Sequence, residues 1–191
     1  MTQQIWLCYG LGNKDSNYQS TYHNLGWLFL DWLFKTNGLK PSSWQSVCRD
    51  GFLLAKLPVD KTSKDCRLVL LAKRFGYMNE SGENLPLLLR YLKIDKNSLI
   101  VVQDDSDLGL GSYKLSWNKN DAGHKGIISI NNGLKTKEYW RLRLGSRSSD
   151  NKFKAMSFAL KKIRKEEKLL LEEAFQNGFA EILKLNRQTK K

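Results

Sequence analysis

Short apolar runs that stop at glycine or at a polar cluster, alternating with segments of helical period, constrain this chain more than any other feature. Ile5–Tyr9 (IWLCY) closes on Gly10, and Leu99–Gln103 (LIVVQ) closes on the acidic cluster DDSD. Runs this short, with no alternation of apolar and polar residues, read as strands covered on both faces. Asn24–Asn37 (NLGWLFLDWLFKTN) reads as a buried helix with Gly38 as its stop. Gly51–Val59 and Arg67–Lys73 flank the polar DKTSKD and most simply form an antiparallel pair. Leu85, Leu88, Leu89 and Leu92 recur at helical spacing, with Pro86 in the first turn, where proline is tolerated. Tyr113–Trp117 and Tyr139–Leu144 read as strands on either side of a glycine-rich segment, DAGHKGIIS. From Phe153 the chain is a charged helical region whose Leu170, Ala174, Phe175 and Gly178 stripe is expected to face the core. No internal repeat interrupts this order. It predicts an α/β fold: one domain over residues 1–191, a three-layer sandwich with a mixed, mostly parallel twisted sheet flanked by helices.

Three polar stretches gain meaning from that arrangement. Gly10–Asn13, Tyr77–Asn79 and Asp104–Asp107 each lie at or beyond the C-terminal end of an expected strand. In open α/β sheets that edge is where sites form, so residues remote in sequence can converge there.

Charge points to the kind of partner. The formal net charge is +13, and it is unevenly placed. Residues 1–110 carry 13 Lys and Arg against 11 Asp and Glu, whereas residues 111–191 carry 19 against 8. A polyanion such as nucleic acid is drawn to such a surface through release of its counterions; a basic composition that only maintains solubility is the plainer alternative. Cys8, Cys48 and Cys66 are odd in number and share no CxxC or Cys/His spacing, which supports neither a disulfide framework nor a zinc site. The first residues, MTQQIW, lack a basic segment followed by a long apolar one. The longest apolar run, Trp27–Phe34, is broken by Asp31 and is too short to span a bilayer. The expectation is a cytoplasmic protein in a reducing compartment, away from membranes.

Proton transfer near neutral pH has two candidates, His23 and His124, the only histidines. Asp104 and Asp105 end a buried strand, and a carboxylate there that fixes the tautomer of His23 would leave its other ring nitrogen as a general base for water. Neither Ser nor Cys sits in a nucleophile elbow such as GxSxG, so direct attack by water is the simpler chemistry. Gly10-Leu11-Gly12 after a strand invites a dinucleotide site, but Asp15 stands where the third glycine belongs. DDSDLG lacks the glycine and glutamate of an EF-hand loop, so no metal is expected. Asn79 and Ser81 are each candidates to cap the next helix; Asn79 could instead donate to a carbonyl or a ribose hydroxyl. Tyr18 and Tyr77 are core aromatics or stacking surfaces for an unpaired base. His124-Lys125, flanked by glycines, forms a tight turn or approaches a phosphate backbone closely.

Taken in order, GLGNKD, YQSTYHN, AKRFGYMNESG, QDDSDLGLG, AGHKGIISI and RLRLGSR resemble the motifs of the bacterial-type peptidyl-tRNA hydrolase family. That family carries a GLGNPG turn, TRHN, (Y/F)MN…SG, DDLDLP and GGHNG before RLRIG. The resemblance runs from about residue 3 to 147 with order and spacing kept. It implies hydrolysis of the ester between a peptide and the terminal ribose of tRNA, with neither metal nor cofactor. His23 would be the base, and Asp104 the carboxylate that orients it. Asn13 would help tell peptidyl-tRNA from free aminoacyl-tRNA; Tyr18, Tyr77 and Asn79 would contact the 3′ end and the peptide. His124 and Lys125 would contribute to tRNA binding, and the protein is expected to be a monomer. The chain departs from the pattern at Lys14 and Asp15 (Pro-Gly in the family), Tyr22 (Arg), Arg74 (Pro), Gln103 (His) and Lys125 (Asn). A lysine cannot reproduce the paired donor and acceptor of an amide, so altered affinity rather than lost chemistry is expected there. Two other functions stay open on sequence alone: a non-catalytic RNA-binding protein on the same fold, and an esterase for small molecules.

Overall fold

The computed structural model describes residues 5–48, 51–59, 68–147 and 160–188. Its strands are β1 (Trp6–Gly10), β2 (Gln45–Val47), β3 (Phe52–Pro58), β4 (Leu68–Arg74), β5 (Leu99–Gly109), β6 (Tyr113–Trp117) and β7 (Trp140–Arg147). Its longer helices are α1 (Leu25–Thr36), α2 (Leu85–Leu92), α3 (Lys125–Leu134) and α4 (Lys168–Gln188). Among the described residues the strands form one sheet in the order β2-β3-β4-β1-β5-β7-β6.

β1, and β5 over its first four residues, are apolar on both faces because both faces are covered. Along β1, Trp6 and Cys8 join a core with α1 and α4, while Leu7 and Tyr9 join a second core with α2 and α3. Along β5, Ile100 and Val102 share the first core, and Leu99 and Val101 the second. The period-2 alternation of the strands is thus spent on two separate cores, giving three layers.

The four central strands β4-β1-β5-β7 pair in parallel, and both sheet edges (β2·β3, β3·β4 and β6·β7) pair antiparallel. Parallel pairing therefore predominates only in the middle of the sheet, not over the whole of it as the sequence suggested. The glycines of GLG serve close packing. A Cβ on Gly10 would lie 2.6 Å from the Gly26 carbonyl oxygen of α1, and one on Gly12 would lie 2.6 Å from the Trp27 ring.

Four local expectations need correction. The strand at Leu99 does not stop at DDSD but runs through it to Gly109, with its pairing to β7 shifted between Asp105 and Gly109. It can do so because Arg143 on the neighbouring β7 neutralises Asp105, donating from Nε to Oδ2 at 2.6 Å with both side chains buried. The glycine-rich segment before Tyr139 is not a plain turn: residues from Lys125 form α3, which buries Gly126, Ile127 and Ile130. In α4 Ala174, Phe175 and Gly178 do face the core, but the stripe continues through Leu171 and Ile182, and Leu170 is 48% exposed. Neither Asn79 nor Ser81 caps α2; Asn84 precedes it, in a left-handed conformation and without a side-chain cap. β2 went unforeseen, being three residues with mostly exposed side chains. The expected helical region begins at Phe153, but residues 153–159 lie outside the described ones, and residues 160–164 precede a short turn at Lys165–Glu167 that leads into α4.

Candidate active site

The three polar stretches do converge. Gly10 ends β1, Arg74 ends β4, and Asp104 sits in β5 where that strand passes the end of β1. Asn13, Tyr18, His23, Tyr77, Asn79, Asp104, His124 and Lys125 all line one cavity of about 540 Å³. These are the eight candidate residues of the sequence, brought together from five separate segments.

His23 stands on a short turn immediately before α1, and its Nδ1 lies 3.0 Å from Asp104 Oδ1, 81 positions away. His124 approaches the same oxygen through Nε2 at 3.1 Å. The tautomer of His124 follows from its neighbours. Its Nδ1 accepts from the backbone N–H groups of Gly126 and Ile127, at 3.1 and 3.4 Å, and so caps α3. A nitrogen that accepts carries no proton, so the neutral ring bears its hydrogen on Nε2 and donates it to Asp104. This bond was missed in the sequence, where His124-Lys125 read as a tight turn or a phosphate contact; both ring nitrogens of His124 are engaged.

Asp104 is 5% exposed. Burial alone would raise its pKa, but His124, and then His23, outweigh burial and hold the carboxyl well below the usual carboxylate range. The carboxylate therefore stays ionised wherever an imidazole titrates. His23, Asp104 and His124 each offer one ligand atom within 4.8 Å of the others. The proton that the helix cap places on His124 Nε2, however, occupies the lone pair a metal would need. The trio is wired as two hydrogen bonds to one carboxylate. Asp105 is diverted from any metal loop as well: Arg143 holds one carboxylate oxygen, and the other accepts from the Asp107 N–H at 2.9 Å.

Asn13 is 6% exposed and held at three points. Its N–H donates to Asn24 Oδ1 at 2.9 Å, and its carbonyl accepts from Asn24 Nδ2 at 3.1 Å. Its own Oδ1 accepts from the Met78 N–H at 2.9 Å, which fixes the flip of the amide and leaves Nδ2 as the end available to the cavity. Asn13 is thus a donor with one orientation, set by the turn that also carries Tyr77 and Asn79. Asn24, in the same HN pair as His23, is the residue that sequence reasoning passed over.

Most of the departures from the family pattern find local partners. Lys14 Nζ lies 4.9 Å from the centre of the Tyr77 ring. The Tyr77 hydroxyl bonds Asp15, which raises its pKa. Arg74 pairs with Glu80 at 3.2 Å and with Glu83 at 2.8 Å. Gln103 donates to the Asp104 carbonyl at 3.0 Å. Tyr22 donates to the buried Glu167 at 2.5 Å, and the Ile163 N–H donates to the Ser20 carbonyl at 2.7 Å. The turn carrying His23 is thereby tied to the segment before α4, whose Leu160 lines the cavity. Lys125, on the first turn of α3, is exposed at the cavity rim.

Comparison with known proteins identifies the family. A family model described as peptidyl-tRNA hydrolase matches residues 7–191. The chain is 34% identical over 168 residues to a peptidyl-tRNA hydrolase of Mycoplasma capricolum, covering 88% of this chain and 86% of that one. It is 35% identical over 167 residues to the Bacillus subtilis enzyme of the same name, covering 86% and 83%. The crystal structure of peptidyl-tRNA hydrolase from Acinetobacter baumannii superposes with a TM-score of 0.79 at 22% identity, over 99% of this chain and 92% of that one, a likeness of fold. The chain belongs to the peptidyl-tRNA hydrolase family.

Proposed function

We propose that this protein hydrolyses the ester joining a peptide to the 3′-terminal ribose of tRNA, with His23 as general base. The observation that carries the reading is the 3.0 Å bond from His23 Nδ1 to the buried Asp104, in a cavity that also holds Asn13 and Asn79. Asp104, ionised, accepts from Nδ1–H and leaves Nε2 with its lone pair. Nε2 takes a proton from water as the oxygen attacks the ester carbonyl. Asn13 Nδ2 and Asn79 position that carbonyl and stabilise the oxyanion. As the tetrahedral intermediate collapses, the imidazolium returns the proton to the departing ribose oxygen, giving free tRNA and a peptide carboxylic acid, which then loses its proton to solvent.

His124 acts through Asp104, keeping the carboxylate in place by its donated bond, rather than by reaching a phosphate. Asn13, whose amide has one fixed orientation, also distinguishes peptidyl-tRNA from aminoacyl-tRNA. Tyr18 and Tyr77 contact the 3′ end, and Lys125 supplies a point charge at the rim in place of an amide. The basic C-terminal part holds the acceptor arm, so binding weakens as salt rises. The whole chain works as one domain, as a monomer and without a cofactor, in the cytoplasm. No helix among the described residues is long and apolar enough to cross a membrane.

The test is release of free tRNA from N-acetyl-aminoacyl-tRNA, with unblocked aminoacyl-tRNA as control. The reading expects cleavage of the blocked substrate and little of the control. RNA binding without cleavage of either would instead favour a non-catalytic RNA-binding protein.

A further inference from the structure

Tyr22, His23 and Asn24 are consecutive, and each is fastened to a different part of the chain. Asn24 exchanges two bonds with the Asn13 backbone, at 2.9 and 3.1 Å. His23 meets Asp104 of β5 at 3.0 Å. Tyr22 donates its hydroxyl to Glu167, 145 positions away, at 2.5 Å, with both side chains buried. The first two fastenings belong to the site itself; the proposed chemistry does not use the third.

Burying Glu167 needs a reason, because its local work is complete without the tyrosine. It accepts from the Arg164 N–H at 2.8 Å, which caps the turn before α4, and from the Arg164 guanidinium at 2.8 and 3.0 Å. Those donors lie three residues back, and a carboxylate at the surface would receive them equally well. Burial disfavours the charge, but the bonds from Arg164 and then Tyr22 outweigh it and lower the pKa, so Glu167 stays an ionised acceptor. Hydrogen bonds to such an acceptor are about twice as strong as neutral ones. What burial adds is the long-range bond to Tyr22.

Backbone bonds run alongside it. The Tyr22 N–H donates to the Lys161 carbonyl at 3.3 Å, and Thr21 pairs with Lys162. These hold the chain entering the turn, whereas the Tyr22 hydroxyl sets how the turn itself is rotated. His23 follows directly, so a rotation there moves its ring against Asp104. A shift of about 1 Å at a reacting group costs about 10²-fold in rate.

We propose that Tyr22 and Glu167 are positioning residues for the general base: their bond fixes the turn from which His23 reaches Asp104. The proposal rests on the reading of His23 as the base.

The test compares Tyr22→Phe, which removes one oxygen, with Tyr22→Arg, which returns a donor able to reach the same carboxylate. In Tyr22→Phe, kcat on peptidyl-tRNA is expected to fall about tenfold with KM within about twofold of wild type, and Tyr22→Arg is expected to recover most of the loss. The second readout is the tautomer of the two histidine rings, from nitrogen NMR under alkaline conditions. Wild-type His23 is expected to carry its proton on Nδ1, and Tyr22→Phe to shift it towards the Nε2 form that free histidine prefers. His124, fixed by its own helix cap, stays protonated on Nε2 throughout and serves as the reference. Should Tyr22→Phe not fold, Glu167→Gln, which keeps the acceptor's shape and removes its charge, is read in the same two ways. A kcat within about twofold of wild type, an unchanged His23 tautomer, or a loss that folded Tyr22→Arg does not recover would each overturn the proposal. Failure of the wild-type protein to cleave peptidyl-tRNA would instead overturn the functional reading, leaving the tautomer to decide whether this pair sets the ring.

Discussion

Asn13 illustrates how much of the chemistry is decided by single hydrogen bonds. Its Oδ1 is committed to the Met78 N–H, so the amide can present only its NH₂ end to the cavity. Asn13→Asp retains the acceptor that holds the Met78 turn while removing both side-chain donors. It is expected to fold with a near wild-type Tm and to lose about 10²–10³-fold in kcat, the range found for deleting one oxyanion donor. Thermal melting and single-turnover cleavage, measured together, check this; turnover near wild type would show that Asn13 does not stabilise the reacting oxygen. His124 shows the same economy from the other side, because the helix it caps dictates which nitrogen faces Asp104.

Between elements, the fold turns on which side of a helix meets the sheet. In α4 the buried positions Leu171, Ala174, Phe175 and Ile182 pack beneath Phe29 of α1 and Leu142 of β7, whereas Leu170 points away. Leu171→Ala is expected to lower stability by about 2–5 kcal/mol, as for other buried leucines. Leu170→Ala is expected to cost less than about 1 kcal/mol, as at an exposed position. Urea denaturation of the two variants checks the contrast, and equal losses would contradict the packing. The comparison also shows what could be read from residues alone. Strands such as Ile5–Tyr9 and helices such as α1 were legible because burial on two faces, or on one stripe, leaves a pattern in the apolar residues themselves. α3 was hidden because GIISINNGL has poor helix propensity and is stabilised by burial and by the cap from His124. β5 was cut short because an acidic run looks exposed until Arg143, 38 positions beyond Asp105 in a different strand, is seen to neutralise that carboxylate. The one-residue slip from Leu170 to Leu171 arose because both lie among leucines, and only packing chooses between them.

For the whole molecule, the site was more legible than the register of its parts. Eight residues named from the sequence line one cavity, since the chain places each motif near the same edge of a parallel sheet centre. What stayed hidden was how they connect: that Asn24 braces Asn13, that two imidazoles share one carboxylate, and that Tyr22 ties the catalytic turn to Glu167. Those links depend on side-chain directions that spacing does not encode. The central claim is that His23 removes the proton from the attacking water. It is tested most directly by single-turnover cleavage of a defined peptidyl-tRNA by wild type and His23→Ala at saturating enzyme. The account predicts a fall in rate of about 10²-fold or more, with tRNA binding retained; a variant that cleaves within a few-fold of wild type would contradict it.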